Sequence, residues 1–326
     1  MRQDGTAIDA AMGTESLPGR DVLDKATLQS LSGRSDRAGL LHLAGHVAVI
    51  LCTGWLLGRA YAAGGLWILP ALVAHGFALV TLFAPMHEAG HATAFKTLWL
   101  GKAVAWLTGA VTLVNADFYR RYHHWHHRYT QVPGQDPELA RPKPHDWRSY
   151  GWRLLGLYYY LDRAREMALV AGGRLDGIVF VPERARPRLI WSMRAMLGLY
   201  ALIAVAALAA QSWAPVTYWL LPLLCGQPLL RAILLSEHTG CSEDRNGLTN
   251  TRTTLTRWPV RFLMWNMPFH AEHHLYPAVP FHRLPDLHRL VADRVRHVTP
   301  GYPAAQREIV ASFGAAEAGV SPPRPV

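Results

Sequence analysis

Histidine is the residue type in this sequence that points most directly to chemistry, with 17 copies among 326 residues. Three tight clusters stand out: H-E-A-G-H at 87–91, H-H-W-H-H at 123–127 and H-A-E-H-H at 270–274. Residues four apart in a helix lie about 40° apart around its axis, so each cluster would present its imidazoles as one stripe. Imidazole suits iron, zinc, copper or nickel better than magnesium or calcium. The clusters therefore predict a transition-metal site.

One further histidine, His238, belongs with these clusters because it directly follows an apolar segment, as the first cluster does. Nine imidazoles are too many for one metal ion and fit two ions with four or five ligands each. The predicted ligands are His87, His91, His123, His126, His127, His238, His270, His273 and His274.

The remaining histidines are not predicted to bind metal. His42 and His46 have helical spacing but no third partner, so we expect hydrogen bonds at the membrane interface. His75 lies about 120° from His87 around the helix, and His124 lies about 60° outside the arc of its neighbours. We expect His124 to support a ligand or to face solvent. His145, His282, His288 and His297 are interpreted as ordinary residues of polar segments.

Four apolar segments are long enough for a bilayer crossing, which takes about 20 residues of helix. They are residues 40–58, 66–83, 189–210 and 213–230. A fifth run, 98–114, is shorter and contains Lys102, so we expect it to be interfacial or re-entrant. Only 17% of the chain is charged, compared with about 25% in an average soluble domain. The composition favours an integral membrane protein.

Basic residues are unevenly divided between the connections. Segments 85–188 and 231–326 are rich in arginine, whereas the short links 59–65 and 211–212 carry one basic residue and none. The positive-inside rule therefore places both termini and the central segment in the cytoplasm. The net charge of +10 occurs without a basic run or a nucleic-acid motif, so no nucleic-acid partner is expected.

The predicted fold is all-α: an integral membrane four-helix bundle of two hairpins, with a helical cytoplasmic cap that holds the metal site. Residues 1–38 are predicted to form a polar, flexible tail with a short helix possible around 21–31. Residues 39–300 form the membrane domain and residues 301–326 a C-terminal tail. Aromatic residues beside arginines, including Trp147, Trp258, Trp265 and Phe269, predict contact between the cap and lipid headgroups.

The order H-x-x-x-H, H-x-x-H-H, H-x-x-H-H between paired spans resembles the membrane fatty-acid desaturase superfamily, which also includes hydroxylases. The likeness runs from about residue 40 to residue 290 and includes Q-D-P at 135–137, E-H at 237–238 and N-T-R-T at 250–253. The stretch W-N-M-P-F-H-A-E-H-H-L-Y-P at 265–277 is similar to the bacterial branch. A bacterial inner membrane is the expected location.

The resemblance implies an O2-dependent oxidoreductase that holds two non-haem irons on the nine histidines. It would act on a lipid acyl chain as a desaturase, with hydroxylation of an alkyl, carotenoid or sphingolipid chain as the alternative. Asp136, Glu237 and Glu272 would orient ligand imidazoles. The sequence has neither a cytochrome b5-like H-P-G-G motif nor a rubredoxin-like cysteine set. Electrons are expected from a separate ferredoxin, rubredoxin or cytochrome.

An intramembrane zinc metalloprotease is the alternative from another class. H-E-A-G-H matches H-E-x-x-H, in which two histidines bind zinc and the glutamate activates water. That reading leaves six clustered histidines without a role. A metal transporter would need ligands at membrane depth, whereas these are predicted at the boundary of the membrane.

Overall fold

The computed structural model describes residues 20–317, and the side chains of residues 21–313 within that range. Residues 1–19 and 318–326, which belong to the two predicted tails, lie outside the described residues. The described parts of the tails are helical and packed: Leu31 is buried near one end of the chain, and Ile309 and Phe313 near the other. The backbone N–H of Leu23 donates to the Tyr276 hydroxyl at 3.0 Å.

Helices dominate the described residues, as predicted. They are α1 (Lys25–Leu31), α2 (Asp36–Ala63), α3 (Ile68–Val80), α4 (Phe83–Gly90), α5 (Leu98–Val111), α6 (Ala116–Tyr129), α7 (Trp147–Leu155), α8 (Leu157–Ala171), α9 (Arg186–Ala209), α10 (Leu221–His238), α11 (Trp258–Leu263), α12 (His270–Leu275), α13 (Leu284–Val291) and α14 (Tyr302–Glu317). Two short parallel strands, β1 (Arg252–Thr254) and β2 (His297–Thr299), pair in the cap.

Four helical segments among the described residues are long and apolar enough to cross a membrane, which confirms the predicted spans. They are Asp36–Ala63, Gly65–Gly90, Glu183–Ala209 and Val216–His238. In the most apolar stretch of each span, 11% of the residues are buried in the first span and 17% in the third, compared with 44% in the second and 44% in the fourth. The second and fourth spans therefore form the centre of the bundle, and the other two present their apolar faces to lipid.

The two central spans approach closely through glycine. A Cβ atom added to Gly76 would lie 2.0 Å from the carbonyl oxygen of Pro222, and one added to Gly226 would lie 2.3 Å from the carbonyl carbon of Gly76. Only glycine allows this backbone contact, the same device by which small residues let membrane helices pack. Since α4 continues the second span and His238 ends the fourth, the contact brings two histidine-bearing ends to the same side of the bundle.

The fifth apolar run forms α5, the first helix of a bent pair with α6. Together α5 and α6 are long and apolar enough for one membrane span, but their axes meet at 100°. The break agrees with the re-entrant or interfacial character predicted for residues 98–114. It turns the second histidine cluster, at the end of α6, back toward the bundle.

The cap is fastened to the end of the fourth span by Arg252, whose exposed fraction is only 2%. Its guanidinium donates to the carbonyl oxygens of Ser236 and Thr239 at 2.6 and 2.8 Å, and to Glu308 in α14 at 3.2 Å. These hydrogen bonds satisfy carbonyls at the C-terminus of α10, where orphan acceptors occur. They also fix the backbone on both sides of His238.

The aromatic residues of the cap divide into two groups. Trp147 and Trp258 expose 68% and 64% of their surfaces, as expected for contact with headgroups. Trp265 and Phe269 are buried, so the interfacial prediction is wrong for these two. The indole N–H of Trp265 donates to His46 Nδ1 at 3.3 Å, which ties the cap to the first span.

Replacement of Gly76 by alanine is expected to destabilise the protein by at least about 1–3 kcal/mol, the usual cost of overpacking, because the new methyl group meets backbone. Gly198→Ala is the matched control, since a Cβ there meets nothing within 4 Å. Thermal unfolding in detergent measures both. An unchanged midpoint for Gly76→Ala would contradict the close contact.

Candidate metal centre

The first histidine cluster lies where the second span ends. α4 ends at Gly90, and His91 is its C-terminal cap residue, so His87 and His91 stand on one face with ring centroids 5.1 Å apart. Glu88 Oε1 accepts from Thr93 Oγ1 at 2.5 Å and from the backbone N–H of Phe281 at 3.0 Å, whereas its Oε2 has no hydrogen-bond partner. A zinc protease needs this glutamate at the metal. These hydrogen bonds give one oxygen of Glu88 a structural role, which does not favour the protease alternative.

The second cluster occupies the last two turns of α6. Asn115 caps this helix, its side chain accepting from the backbone N–H of Phe118 at 3.0 Å. His123, His126 and His127 are buried on its inner face. His124, outside that arc as predicted, stacks on His91 at a centroid distance of 5.4 Å.

The third cluster follows a tight backbone turn. Trp265 and Asn266 have φ angles of 49° and 58°, a left-handed backbone conformation that residues other than glycine rarely adopt. Ala92 and Gln131, just after the first and second clusters, are also left-handed, with φ angles of 59° and 60°. Strained backbone held by surrounding structure is concentrated at functional sites.

Five imidazoles meet in what we call the five-histidine cluster. Its closest nitrogen pairs are His127 Nε2 with His123 Nε2 at 2.9 Å and His273 Nε2 with His127 Nε2 at 3.1 Å. One nitrogen from each of the five rings lies within 4.8 Å of the others. The members are His87, His91, His123, His127 and His273.

The remaining predicted ligands form an adjoining four-histidine cluster. His126, His238 and His274 offer nitrogens within 4.8 Å of one another, and His270 Nε2 lies 3.3 Å from His238 Nε2. The His127 and His274 rings stack between the two clusters, 4.1 Å apart. The structure thus brings together all nine histidines that the sequence singles out. Their role as ligands stays a prediction.

Three rings of the four-histidine cluster are oriented through Nδ1. His126 Nδ1 lies 2.9 and 3.0 Å from the two carboxylate oxygens of Asp136, and His238 Nδ1 lies 3.0 Å from the carbonyl oxygen of Asn250. His274 Nδ1 lies 3.3 Å from Thr130 Oγ1, whose proton goes to a backbone carbonyl. Each Nδ1 must then carry the hydrogen, which leaves the Nε2 lone pair for a metal.

Hydrogen bonds favour the ionised form of the Asp136 carboxyl group. Burial opposes its charge, but hydrogen bonds from His126 and from the backbone N–H groups of Gln131 and Glu138 hold the pKa of Asp136 below its ordinary value. An ionised carboxylate behind an imidazole fixes its tautomer and makes it a better ligand. The orienting role of Asp136 stays a prediction.

The other two predicted orienting carboxylates differ from each other. Glu237 Oε2 lies 3.5 Å from His270 Nε2, so it touches a clustered imidazole. Glu272 instead accepts from Thr253 Oγ1 at 2.5 Å and contacts His288 Nδ1 at 2.5 Å. It fastens α12 to β1 and α13.

Several residues at the site were not predicted from the sequence. Thr130 and Asn250 orient imidazoles, His288 contacts Glu272, and Glu138 Oε2 lies 3.8 Å from His126 Nε2. The N-T-R-T motif contains Asn250 and the Q-D-P motif adjoins Glu138, so these two residues had a usable signal. Nothing in the sequence distinguished His288.

The histidines excluded from the metal site have partners of their own. His42 Nε2 contacts the Phe262 carbonyl at 2.7 Å, and His46 Nε2 contacts the Ala78 carbonyl at 3.0 Å. His75 contacts Thr53 Oγ1 at 2.9 Å and the Tyr218 carbonyl at 3.1 Å. His46 is fully buried rather than interfacial.

The donor set fits metal ions. Buried polar atoms are almost always paired, yet both ring nitrogens of His87 and the Nε2 atoms of His91 and His274 have no hydrogen-bond partner. Burial, and then the neighbouring histidines, lower the pKa values of His91 and of the third-cluster histidines. These imidazoles are therefore neutral at pH 7, the form that binds metal.

Comparison with known proteins gives one family and several distant relatives. A family model described as fatty acid desaturase matches residues 65–305. The human sphingolipid delta(4)-desaturase/C4-monooxygenase DES2 is 26% identical over 253 residues, covering 75% of this chain and 68% of that protein. The rice (Oryza sativa subsp. japonica) sphingolipid delta(4)-desaturase DES1-like protein is 24% identical over 298 residues, covering 87% and 79%. The sphingolipid delta(4)-desaturase DES1 of Drosophila melanogaster is 23% identical over 253 residues, covering 74% and 68%.

His127→Ala is expected to weaken metal binding by more than about 100-fold, exceeding the roughly 10–100-fold cost of losing a group that only orients a ligand. His127 contacts rings of both clusters, so both ions should be affected. His145→Ala is the control, because that side chain is 71% exposed. Metal content per purified chain decides: a His127→Ala protein with its full metal content refutes the assignment.

The metal-free protein is expected to lose stability as the pH falls below about 6.5, the ordinary pKa of histidine. The lowered pKa values of His270, His273 and His274 keep these rings neutral when folded, so the unfolded chain binds more protons in acid. Unfolding midpoints at pH 7.5 and 5.5 measure the effect. Equal midpoints would mean that the rings are not buried as neutral groups.

Proposed function

The chain belongs to the fatty acid desaturase family, and from that membership we propose that the nine clustered histidines hold two non-haem irons that serve O2-dependent desaturation of a lipid acyl chain. The chain is a multi-pass membrane oxidoreductase of the lipid desaturase or hydroxylase type. The observation that carries the proposal is the pair of adjoining clusters of buried imidazoles where the central spans end.

A pair of irons, when bound, supplies the dioxygen chemistry that removes hydrogen from an unactivated C–H bond. The chain's own residues prepare the place for it. Nine imidazoles, all but His91 nearly fully buried, exclude water, and the ionised Asp136 keeps the Nε2 of His126 directed into its cluster. A dry and rigid donor set of this kind holds reacting groups in position and prevents side reactions.

The substrate is proposed to be an acyl or long-chain-base lipid that enters from the bilayer. The clusters lie at the end of a bundle whose outer spans expose large apolar side chains, such as Leu51 and Leu208. The relatives are named for action on sphingolipids. A long saturated chain lying along the apolar helices would bring its C–H bonds to the metal end of the bundle.

Hydroxylation is the second candidate reaction. The human relative carries both delta(4)-desaturase and C4-monooxygenase in its name. The two outcomes begin with the same hydrogen abstraction and differ in whether a second hydrogen is lost or oxygen is added. Sub-ångström placement of the substrate chain decides between them.

We also propose a cytoplasmic position for the metal centre, in a bacterial inner membrane, with electrons from a separate ferredoxin, rubredoxin or cytochrome. The arginine-rich segments that carry the clusters support this side of the membrane. The three cysteines lie apart, with Cys52 exposed, Cys225 half-buried and Cys241 buried, so they offer no thiolate centre for an electron relay.

Expression together with a ferredoxin and its reductase, in cells that contain saturated lipids, tests the reaction. Mass spectrometry of extracted lipids is expected to show a product that lacks two hydrogen atoms. A product that instead gains one oxygen atom establishes the hydroxylase. His127→Ala serves as the inactive control. Unchanged lipids from the wild-type protein loaded with two irons would refute lipid modification in these cells.

A further inference from the structure

Two carboxylates lie beside the four-histidine cluster. Glu138 is in the short helical turn Pro137–Ala140 after the second histidine cluster, and its Oε2 lies 3.8 Å from His126 Nε2. Glu237 directly precedes His238, and its Oε2 lies 3.5 Å from His270 Nε2. Both oxygens approach Nε2 atoms, the nitrogens that face this cluster.

The shorter of these separations matches donors that share one ion, and the longer is close to that range. Two atoms each about 2.1 Å from a metal stand about 3.0–3.6 Å apart when the angle at the metal is 90–120°. The contact between His270 and Glu237 is in this range, as is the 3.3 Å contact between His238 and His270, and the contact to Glu138 is just outside it. Two acceptor atoms this close in a largely buried place need a proton or a metal cation between them.

The two clusters also differ in number of imidazoles, five against four. The side chain of Glu237 is 14% exposed and that of Glu138 34%, so the carboxylates stand at the edge of the smaller cluster. The described contacts place no carboxylate oxygen beside a nitrogen of the five-histidine cluster: Glu88 Oε1 and both oxygens of Glu272 accept from other groups.

We propose that Glu138 and Glu237 supply carboxylate oxygens that complete the coordination of the metal in the four-histidine cluster, whereas imidazole alone completes the other. This inference rests on the proposed function, because it assigns donors to one of its two irons. The two metals then have different surroundings, one all nitrogen and one mixed nitrogen and oxygen. Carboxylate oxygen is a harder donor, in the acid–base sense, than imidazole nitrogen. The four-histidine site therefore suits Mn²⁺, which prefers carboxylate ligands, better than the five-histidine site does.

Titration of the full-length, metal-free protein in detergent with Co²⁺ tests the assignment, because binding and visible absorption are read without turnover. The wild-type protein is expected to bind two ions. Each of E138Q and E237Q should lower the affinity for one Co²⁺ ion by at least about 10-fold, and the double variant should lower it further. The affinity for the other ion should stay unchanged. The visible absorption band of the Co²⁺ ion that binds more weakly should also shift.

Glu243→Gln is the matched control, since that carboxylate is 56% exposed and pairs with Lys143. Thermal unfolding of the metal-free variants checks that each is folded. A double variant that binds two ions with wild-type affinity and unchanged absorption overturns the proposal. An equal loss of affinity for both ions also overturns it. Fewer than two ions on the wild-type protein would instead refute the two-iron site of the proposed function.

Discussion

Nine imidazole rings share one region from which water is largely excluded, and many of their nitrogens have no partner within the protein. An unpaired buried polar group costs about 1–3 kcal/mol, and protonation, which would add charge, is opposed by the same burial. The arrangement is favourable when metal ions lie among the lone pairs. The membrane spans, the cap and the hydrogen bonds between them together hold these nitrogens where metal ions can lie among them.

The membrane bundle meets the requirement by bringing chain segments that are distant in sequence to one level. The glycine contact between the central spans sets the positions of α4 and α10, and the broken helix turns α6 inward. Arg252 then fixes the cap to the end of α10. Rigid elements position metal ligands better than loops do, and eight of the nine histidines lie within helices, with His91 as the cap residue of α4.

Much of this was predictable, for identifiable reasons. The spans follow from length and apolarity, and the clusters from helical spacing, because both are local properties. The residues behind the ligands were not predictable: Thr130 meets His274 across 144 positions of sequence. Glu272 was assigned to an imidazole of the site, yet its contacts with Thr253 and His288 depend on where β1 and α13 lie. Trp265 resembled an interfacial aromatic residue, and its burial against His46 depends on how the cap meets the first span.

The division of the nine rings between chain segments also dictates an order of biogenesis. Each cluster draws nitrogens from α6 and from α12, which stand on either side of the second membrane hairpin. A nascent chain that has inserted only its first hairpin can offer a metal no more than part of either set. Four of the five rings of the five-histidine cluster precede the second hairpin, but each set is complete only after both hairpins have entered the bilayer and α12 has folded back.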